Sequence, residues 1–411
     1  ISIDKEFPKI YDKIVGNPPY FNLKLEELNN KYPNEMFTKY AEGKTNIAGL
    51  FLIKFINSLK DGGHLGFVVP KSLAYVEPWK PIRDYILENC SIETIYDIRE
   101  AFENVKLEQI IIILRKGNKY QSKQVNIFYK YQVGSELVEK GHKVDYKLFT
   151  RDYFPLYLYD INVSIKNKSL KDSELLGNFA DITRGAYLQQ FPNMLTDEKT
   201  TNEDIKVMSG KDIGRYEYRA FKYLNLNNRK LIEFADKIKR IKKEKVVCQR
   251  IVAQTRNHIK IIANYDFGDN INVDTVINII PNNKDFLVKY LLGILNSKFA
   301  SYYLYNFVYN RAVRSMNFEY VKFLPIKRTS MSKQNEVIKL VDYILDNKKE
   351  LIQLGKKMEK LAQIEEEHIN CTKKKLRLEK EITENEKKID MQVYEIYGLS
   401  DREIKEVKEL E

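Results

Sequence analysis

The short stretch Asn17-Pro18-Pro19-Tyr20 combines residue types that suit a specific kind of chemistry. Two consecutive prolines fix φ and remove two backbone N–H donors, so the loop is stiff and presents mainly hydrogen-bond acceptors. These acceptors are backbone carbonyl oxygens and the side-chain oxygen of Asn17, and Tyr20 adds a flat aromatic face beside them. Such a loop suits a planar ligand that carries an NH2 group with two hydrogens to donate.

The exocyclic amine of adenine fits this description and poses a definite chemical problem. Its nitrogen is a poor nucleophile because the lone pair is delocalised into the ring. Two acceptors that hold the amine hydrogens would favour a pyramidal nitrogen and stabilise the positive charge that grows when it attacks a methyl group. An aromatic face would hold the base in line, and in duplex DNA the base would first leave the helix. We therefore predict catalytic roles for Asn17, Pro18, Pro19 and Tyr20, with Tyr20 also stacking on the target base.

The elements that must position this loop follow the pattern of an α/β sheet. Apolar runs alternate with helical periods in a β-α-β-α-β-β order, which is that of the C-terminal half of a doubly wound sheet. Ligands bind such sheets at the carboxyl ends of the strands. This sequence has no counterpart of the first half of such a sheet. We therefore expect an open sheet edge, which either missing N-terminal sequence or a partner chain would cover. The predicted strands are 10–15, 64–70, 92–98 and 108–116, and the predicted helices are 46–60 and 78–89.

Changes in residue composition and in apolar periodicity along the chain predict three regions. Residues 1–150 hold the sheet and the loop, residues 151–330 form a mixed α+β domain, and residues 331–411 form a helical tail. The polar stretch 117–170 is predicted to be a connection and lid. In the tail, apolar residues recur in sevens without proline, which predicts a helical hairpin or coiled coil and leaves a dimer seam as an alternative. These apolar positions are Val337, Ile344, Leu351 and Met358 in one set, and Leu340, Leu354 and Leu361 in the other.

Composition places the chain among soluble, globular proteins with polyanionic partners. Its 411 residues carry a net charge of +12, and the pI is near 9.1, which favours nucleic acid as the partner. The sequence contains no apolar run of about eighteen residues, so we expect no transmembrane helix. Three separated cysteines and four histidines without ligand spacing favour a reducing cytoplasm and predict no metal site.

Cations of the second region are candidates for contacts to DNA. Arginine can read base edges with two hydrogen bonds, whereas lysine mostly meets phosphate. For each candidate, a solvated surface cation is an equally strong alternative, and the set does not indicate which bases are read. The candidates lie in predicted loops or at the ends of elements: Arg184, Lys211, Arg215, Arg250, Arg256, Arg311 and Arg314.

Over roughly residues 10–330 the chain resembles the gamma-class, TaqI-type N6-adenine DNA methyltransferases of restriction-modification systems. The likeness begins with the strand followed by Gly16 to Tyr20, then "GGHLGFVVPKSLA" and "EAFENVKLEQIIIILRK". It continues in the family's order with "VMSGKDIGRY", "KVVCQRIVAQTRN" and "LLGILNSKFASYYLYNF", followed by "FLPI". The resemblance implies that residues 151–330 are a target-recognition domain, that Phe102 is a second aromatic stacking on the base, and that S-adenosylmethionine is the methyl donor.

One part of the family's pattern has no counterpart in the sequence. Members carry a glycine-containing turn that binds S-adenosylmethionine and precedes the NPPY motif. The resemblance therefore implies that only the edge of the cofactor site, at Asn17, lies in this chain. It also implies double-stranded DNA as the partner, together with a second subunit or segment that carries the main cofactor motif.

Several alternatives remain open at this point. The NPPY stretch could be a tight turn, and Phe102 could be a core residue. The same motif marks enzymes that methylate glutamine amides on proteins, although those need no large basic second domain. The chain could also be a DNA-binding specificity subunit without complete chemistry, or a fragment of a fused restriction-modification enzyme.

Overall fold

The chain divides into two units, each with its own sheets and core, in a computed structural model. The first unit comprises residues 1–163 and 309–313, and the second comprises residues 164–308 and 314–411. The residues that the structure describes are 11–24, 26–27, 40, 44–99, 107–133, 136–158, 160–188, 195–225, 234–251, 253–255, 258–311, 318–360 and 365–408.

The first unit is built on a mixed sheet of six strands. Its strands and helices are β1 (Tyr11–Gly16), β2 (Asn22–Lys24), β3 (Lys44–Asn46), α1 (Ile47–Asn57), β4 (Leu59–Pro70), α2 (Lys80–Asn89), β5 (Cys90–Arg99), β6 (Gln109–Lys116), β7 (Gln124–Val133) and β8 (Glu136–Asp145). The sheet order is β1-β4-β6-β5-β7-β8, while β2 and β3 form a separate pair. Strand β1 runs parallel to β4, and β6 runs antiparallel to both β4 and β5.

This topology confirms the predicted fold class. The apolar strands β4 and β6 lie inside the sheet, where alternate side chains such as Leu65, Ile110 and Ile112 are fully buried. Helix α1 begins after Asn46, whose side chain accepts a hydrogen bond of 3.1 Å from the N–H of Ala48 and so caps the helix. Strand β1 lies at the edge, and among the described residues only β4 pairs with it.

The prediction that residues 117–170 are a connection and lid was wrong. Within this stretch, Gln124–Val133 and Glu136–Asp145 form strands β7 and β8, which pair over their whole length and extend the sheet. Strand β7 lies parallel to β5, with Thr94 opposite Asn126 and Asp97 opposite Tyr129. Val125, Ile127 and Tyr129 alternate along β7 and are buried, but the polar residues on both sides of this short run hid the strand in the sequence.

The second unit contains several small sheets and most of the helices. Its elements are α3 (Asp160–Leu170), β9 (Ser173–Leu175), α4 (Leu176–Phe179), β10 (Ala180–Arg184), β11 (Leu195–Thr196), β12 (Ile205–Met208), β13 (Ile213–Gly214), β14 (Glu217–Tyr218), β15 (Lys222–Leu224), α5 (Ala235–Ile241), β16 (Lys245–Gln249), β17 (Ala253–Thr255), β18 (His258–Lys260), β19 (Ala263–Asp266), β20 (Ile271–Asn272), β21 (Val276–Pro281), α6 (Val288–Leu295), α7 (Lys298–Tyr303), β22 (Pro325–Lys327), α8 (Met331–Lys360), α9 (Glu365–Ile396) and α10 (Asp401–Lys408). Two four-stranded sheets have the orders β10-β21-β16-β19 and β11-β15-β12-β20. This mixture confirms the predicted α+β character.

The tail forms the predicted helical hairpin from α8 and α9. Val337 and Ile344 of the heptad pattern are fully buried, and Leu354 packs with Cys371 and Leu378 of the second helix. The apolar seam between the two helices explains their pairing. Leu361 lies outside the described residues. No helix in the described part of the chain has the length and apolar character needed to cross a bilayer.

A buried carboxyl group links helix α9 to the start of α7. The Asp390 Oδ1 atom accepts a hydrogen bond of 2.8 Å from the N–H of Lys298. Burial raises the pKa of Asp390 to about 6, so the native state holds a proton that the unfolded chain has already lost between pH 4 and 6. The free energy of unfolding therefore falls as the pH rises through this window.

We expect Asp390→Asn to stabilise the protein at neutral pH, because the neutral amide keeps an acceptor oxygen and avoids burying a charge. The expected gain is on the order of 1–2 kcal/mol at pH 7.5 and disappears at pH 4. Urea unfolding measured at several pH values checks this result. Asp346→Asn, at an exposed residue of α8, serves as the matched control. An equal effect of Asp390→Asn at all pH values would contradict the assignment.

Candidate active site

The candidate loop follows directly from the edge strand of the first unit. Strand β1 ends at Gly16, which lies opposite Phe67 of β4. A Cβ atom at position 16 would lie only 3.0 Å from the Phe67 Cε1 atom. Glycine therefore lets the end of β1 pack closely on the ring of Phe67 while the next residues turn away at the carboxyl end of the strand, as the topology rule predicts.

The four loop residues differ in exposure in a way that suits a ligand site. Asn17 and Pro19 are exposed, Pro18 is buried, and Tyr20 is half-buried. The Tyr20 hydroxyl donates to the Asn17 Oδ1 atom and lies 3.2 Å from the carbonyl oxygen of Val68 in β4. Burial raises the pKa of Tyr20 to about 12, so this hydroxyl stays protonated at neutral pH. The tyrosine thus supports the asparagine amide and links the loop to the neighbouring strand.

A groove of about 390 Å³ lies beside β1 and includes the loop. This volume is within the usual range of small-molecule sites, about 300–1,000 Å³. The lining is mostly apolar and aromatic, and Asn17 adds an amide to it. The groove is lined by Tyr11, Lys13, Ile14, Val15, Gly16, Asn17, Pro18, Pro19, Phe51, Phe55 and Phe67.

The second predicted stacking residue, Phe102, lies outside the described residues. The structure does describe both sides of the segment that contains it. Strand β5 ends at Arg99 before this segment, and β6 begins at Gln109 after it. The assignment of Phe102 to the target base therefore stays a prediction.

Most of the predicted DNA contacts that the structure describes have partners within their own unit. Arg184 pairs with Glu319, and the Arg250 Nη1 atom lies 3.8 Å from the Asp274 Oδ2 atom. The guanidinium of Arg311 lies 4.7 Å from the ring centroid of Tyr157. Arg256 and Arg314 lie outside the described residues. Their roles in DNA binding stay predictions.

Arg215 lies in a more enclosed position than the sequence indicated. Its Nη2 atom is 2.8 Å from the Glu386 Oε1 atom, and its Nη1 atom donates to the carbonyl oxygen of Ile261 at 3.2 Å. The arginine is thus held by an acidic residue of helix α9. A contact from Arg215 to DNA would require this internal pair to open.

Lys211 is exposed and lines a groove of about 540 Å³ on the second unit. The same groove holds Phe221, which is 39% exposed, and Lys222. The Lys206 ammonium lies 4.4 Å from the Phe221 ring centroid, so an aromatic side chain lies among lysines at this surface. Sequence reasoning missed Lys206, Phe221 and Lys222, although the alternation of lysine and aromatic residues in "RAFKYL" was a usable signal.

The sheet order, with a proline-containing loop at the carboxyl end of β1, defines half of a methyltransferase-type α/β sheet. Two protein families match parts of this chain. Residues 3–103 match the Eco57I restriction-modification methylase family, and residues 205–326 match the TaqI-like C-terminal specificity domain. These two matches, in this order along the chain, confirm the resemblance to the gamma-class methyltransferases of restriction-modification systems.

Individual relatives agree with this family. The chain is 26% identical over 380 residues to the type II methyltransferase M.HindII of Haemophilus influenzae, an alignment that covers 84% of this chain and 65% of that protein. It is 29% identical over 115 residues to the type II restriction enzyme and methyltransferase RM.Eco57I of Escherichia coli, covering 26% of this chain and 11% of that protein. The chain therefore spans less than two thirds of the length of either relative.

A solved structure supports the fold over almost the whole chain. The type IIL restriction-modification enzyme MmeI, solved in complex with DNA, aligns with a TM-score of 0.56 and 12% identity. The alignment covers 97% of this chain and 56% of that one. At this level of identity, the likeness establishes the fold and does not establish the chemistry of the site.

Proposed function

We propose that this chain is the catalytic-loop and specificity part of a DNA methyltransferase that methylates the N6 amino group of an extruded adenine. The observation that carries the proposal is the exposed Asn17 amide, which lines a groove of about 390 Å³. The match to a specificity domain and the net charge of +12 support DNA as the substrate.

The proposed chemistry uses the acceptors of the loop. The Asn17 Oδ1 atom now accepts from the Tyr20 hydroxyl, and the amine of the base would take over this acceptor when it enters. Displaced from Asn17, the hydroxyl can still donate to the carbonyl oxygen of Val68, which is 3.2 Å away. The exchange therefore leaves no buried donor without a partner. Tyr20 would then lie beside the base as a stacking face.

S-adenosylmethionine, when bound, supplies an electrophilic methyl group to such an amine. The groove beside β1 fits only part of this cofactor. Its described lining residues offer aromatic faces, one lysine and one amide, and they include no carboxylate that could accept from the ribose hydroxyls. We propose that Asn17 lies at the edge of the cofactor site and that the remaining contacts come from another segment or subunit.

The edge strand provides a place for that segment or subunit. Among the described residues, β1 has a paired neighbour on one side only, and Val15 is 85% exposed. An unpaired edge of this kind is a template for a further strand. We propose that a strand of the cofactor-binding part pairs with β1, which would cover Val15 and close the groove.

Two further assignments belong to the same proposal. The enzyme would act in the cytoplasm, where its DNA substrate lies. A dimer through the tail stays a prediction, and it would use the exposed apolar residues Ile369 and Leu376, which lie seven positions apart on α9.

The experiment that tests the proposal follows radiolabelled methyl groups from S-adenosylmethionine into unmethylated plasmid DNA. We expect no label in DNA with the chain alone, and label in N6-methyladenine once the cofactor-binding part is present in the same polypeptide or added separately. Sequencing of the modified plasmid then gives the target site. Specific DNA binding without any methyl transfer by the complete enzyme would favour a pure specificity subunit, and label in protein would favour glutamine methylation.

A further inference from the structure

The exposed large apolar residues of the first unit lie beside the candidate loop. Among the described residues of this unit, these are only Val15 and Phe21, which are 85% and 48% exposed. Val15 lies two positions before Asn17, and Phe21 directly follows Tyr20. One exposed phenylalanine is ordinary in a folded protein. Here, however, both exceptions to burial flank the same four residues, which indicates surfaces that bind something in the working enzyme.

The residues on both sides of Phe21 are held in place. Before it, the Tyr20 hydroxyl lies 3.2 Å from the carbonyl oxygen of Val68. The Phe21 carbonyl oxygen itself accepts a hydrogen bond of 2.9 Å from the N–H of Ile47, the first residue of α1. After it, β2 pairs with β3, and Leu23 is buried. The ring is therefore presented from a fixed backbone, so binding a ligand to it costs little further ordering.

Val15 and Phe21 suit different partners. Val15 belongs to β1, whose edge has no strand beside it in the described part of the chain and suits a further strand. The carbonyl oxygen of Phe21 is already paired with Ile47, so its ring is the part that a ligand can contact. The exposed residues of β2 beside it are Asn22 and Lys24, which are polar. A protein interface needs a contiguous apolar core that is poor in charge, whereas one aromatic ring among polar groups suits a planar base.

The proposed reaction creates a need for such a ring. An adenine that leaves the duplex gives up its stacking, and the bases beside it each lose a stacking partner. Proteins that open DNA can compensate with an apolar side chain that packs on these bases. Phe21 is joined to Tyr20 by a trans peptide, which places their Cα atoms about 3.8 Å apart. The Phe21 ring therefore lies close to the place where the adenine would leave the helix.

We propose that Phe21 stacks on a base beside the opening that the extruded adenine leaves in the duplex. The ring stabilises the opened DNA, while Asn17 and Tyr20 act on the adenine itself. This inference rests on the proposed function, because it requires the loop to receive an adenine from duplex DNA. It gives Phe21 a contact with the substrate that is separate from the amine contact of Asn17.

Three substitutions at position 21 separate base stacking from protein packing. Phe21→Trp keeps a flat aromatic face, Phe21→Leu keeps apolar volume without such a face, and Phe21→Ala removes both. Methyl transfer by the complete enzyme is measured under single-turnover conditions on a duplex with the mapped target site. We expect Phe21→Ala to lower the rate by about 10-fold, at the lower end of what one stacked base contributes. Phe21→Leu should lose nearly as much, and Phe21→Trp should stay within about 2-fold of the original rate.

A duplex with a mismatch at the target adenine provides a second test. Because a mismatched base costs less to extrude, Phe21→Ala should stay within about 2-fold of the original enzyme on this substrate. Asn17→Ala should lose the same on both duplexes, because the amine contact acts during methyl transfer and not during extrusion. Fluorescence of 2-aminopurine in place of the target adenine follows extrusion directly. Its increase should be smaller with Phe21→Ala than with the original enzyme on the matched duplex.

Tyr343→Ala is the matched control for the loss of an exposed aromatic ring. Tyr343 belongs to α8 of the second unit and is 42% exposed, close to the value for Phe21. It lies outside residues 205–326, which match the specificity domain. The rate of transfer and the 2-aminopurine signal should both stay at their original values in Tyr343→Ala.

Two results would overturn the inference. The first is an original rate in Phe21→Ala, or an equal loss on the matched and mismatched duplexes. The second is an original rate in Phe21→Leu together with a loss in Phe21→Trp, which would assign Phe21 to packing against the cofactor-binding part. Should Phe21→Ala not fold, the comparison of Phe21→Leu with Phe21→Trp gives the same decision. Methyl transfer that is unaffected by Asn17→Ala would count against the proposed function instead.

Discussion

Replacing Asn17 with alanine is expected to lower the rate of methyl transfer by about 10²–10³-fold, the usual cost of losing one hydrogen-bonding group that acts on developing charge. The Asn17 amide is exposed at the groove, and its Oδ1 atom is within hydrogen-bond reach of Tyr20 rather than enclosed in packing. The change should therefore leave the fold and most of the DNA contacts in place. We expect DNA affinity to stay within about 3-fold, since the amine contact acts mainly as charge develops.

The measurement is single-turnover methyl transfer, with DNA binding followed separately by fluorescence anisotropy. Asn22→Ala is the matched control, because Asn22 is also an exposed asparagine and lies only a few positions further along the chain. It should transfer methyl groups at the original rate. A loss of DNA binding equal to the loss of transfer in Asn17→Ala would contradict the catalytic role and favour a contact needed only for binding.

Removing the aromatic ring of Tyr20 is expected to have the second-largest effect. A base stacked on an aromatic side chain gains about 1–3 kcal/mol, so Tyr20→Ala should lower kcat/KM by about 10–100-fold. Tyr20→Phe keeps the stacking face and removes the hydroxyl that donates to Asn17 and lies near Val68. If the ring carries the effect, Tyr20→Phe should stay within a few fold of the original enzyme.

Steady-state methyl transfer on the mapped site, together with 2-aminopurine fluorescence, checks this prediction. Tyr20→Ala should change the fluorescence of the extruded base, and Tyr20→Phe should not. Equal losses in the two variants would instead assign the effect to the hydroxyl. The role of Tyr20 would then be to orient the Asn17 amide rather than to stack on the base.

Residues 11–20 show how far local sequence reasoning can go. The shape of the loop depends on interactions between neighbours in the chain. These neighbours are the end of a strand, a glycine, two prolines and an aromatic residue. The amphipathic hairpin of the tail is similar, because a repeat of seven places its apolar residues on one helix face. The fold class and the position of the loop at the end of a strand could therefore be predicted from the sequence.

The sequence by itself determined the acceptor loop, the succession of strands and helices from β1 to β6, and the helical hairpin, because each depends on residues close together in the chain. Only the tertiary structure decided that β7 and β8 extend the sheet, that Glu386 holds Arg215, and that Lys71 is buried between two carboxylates. The physical reason is that the sequence around a lysine or a polar strand looks the same whether the side chains lie in water or in a core. Its burial depends on partners far along the chain, which periodicity does not encode.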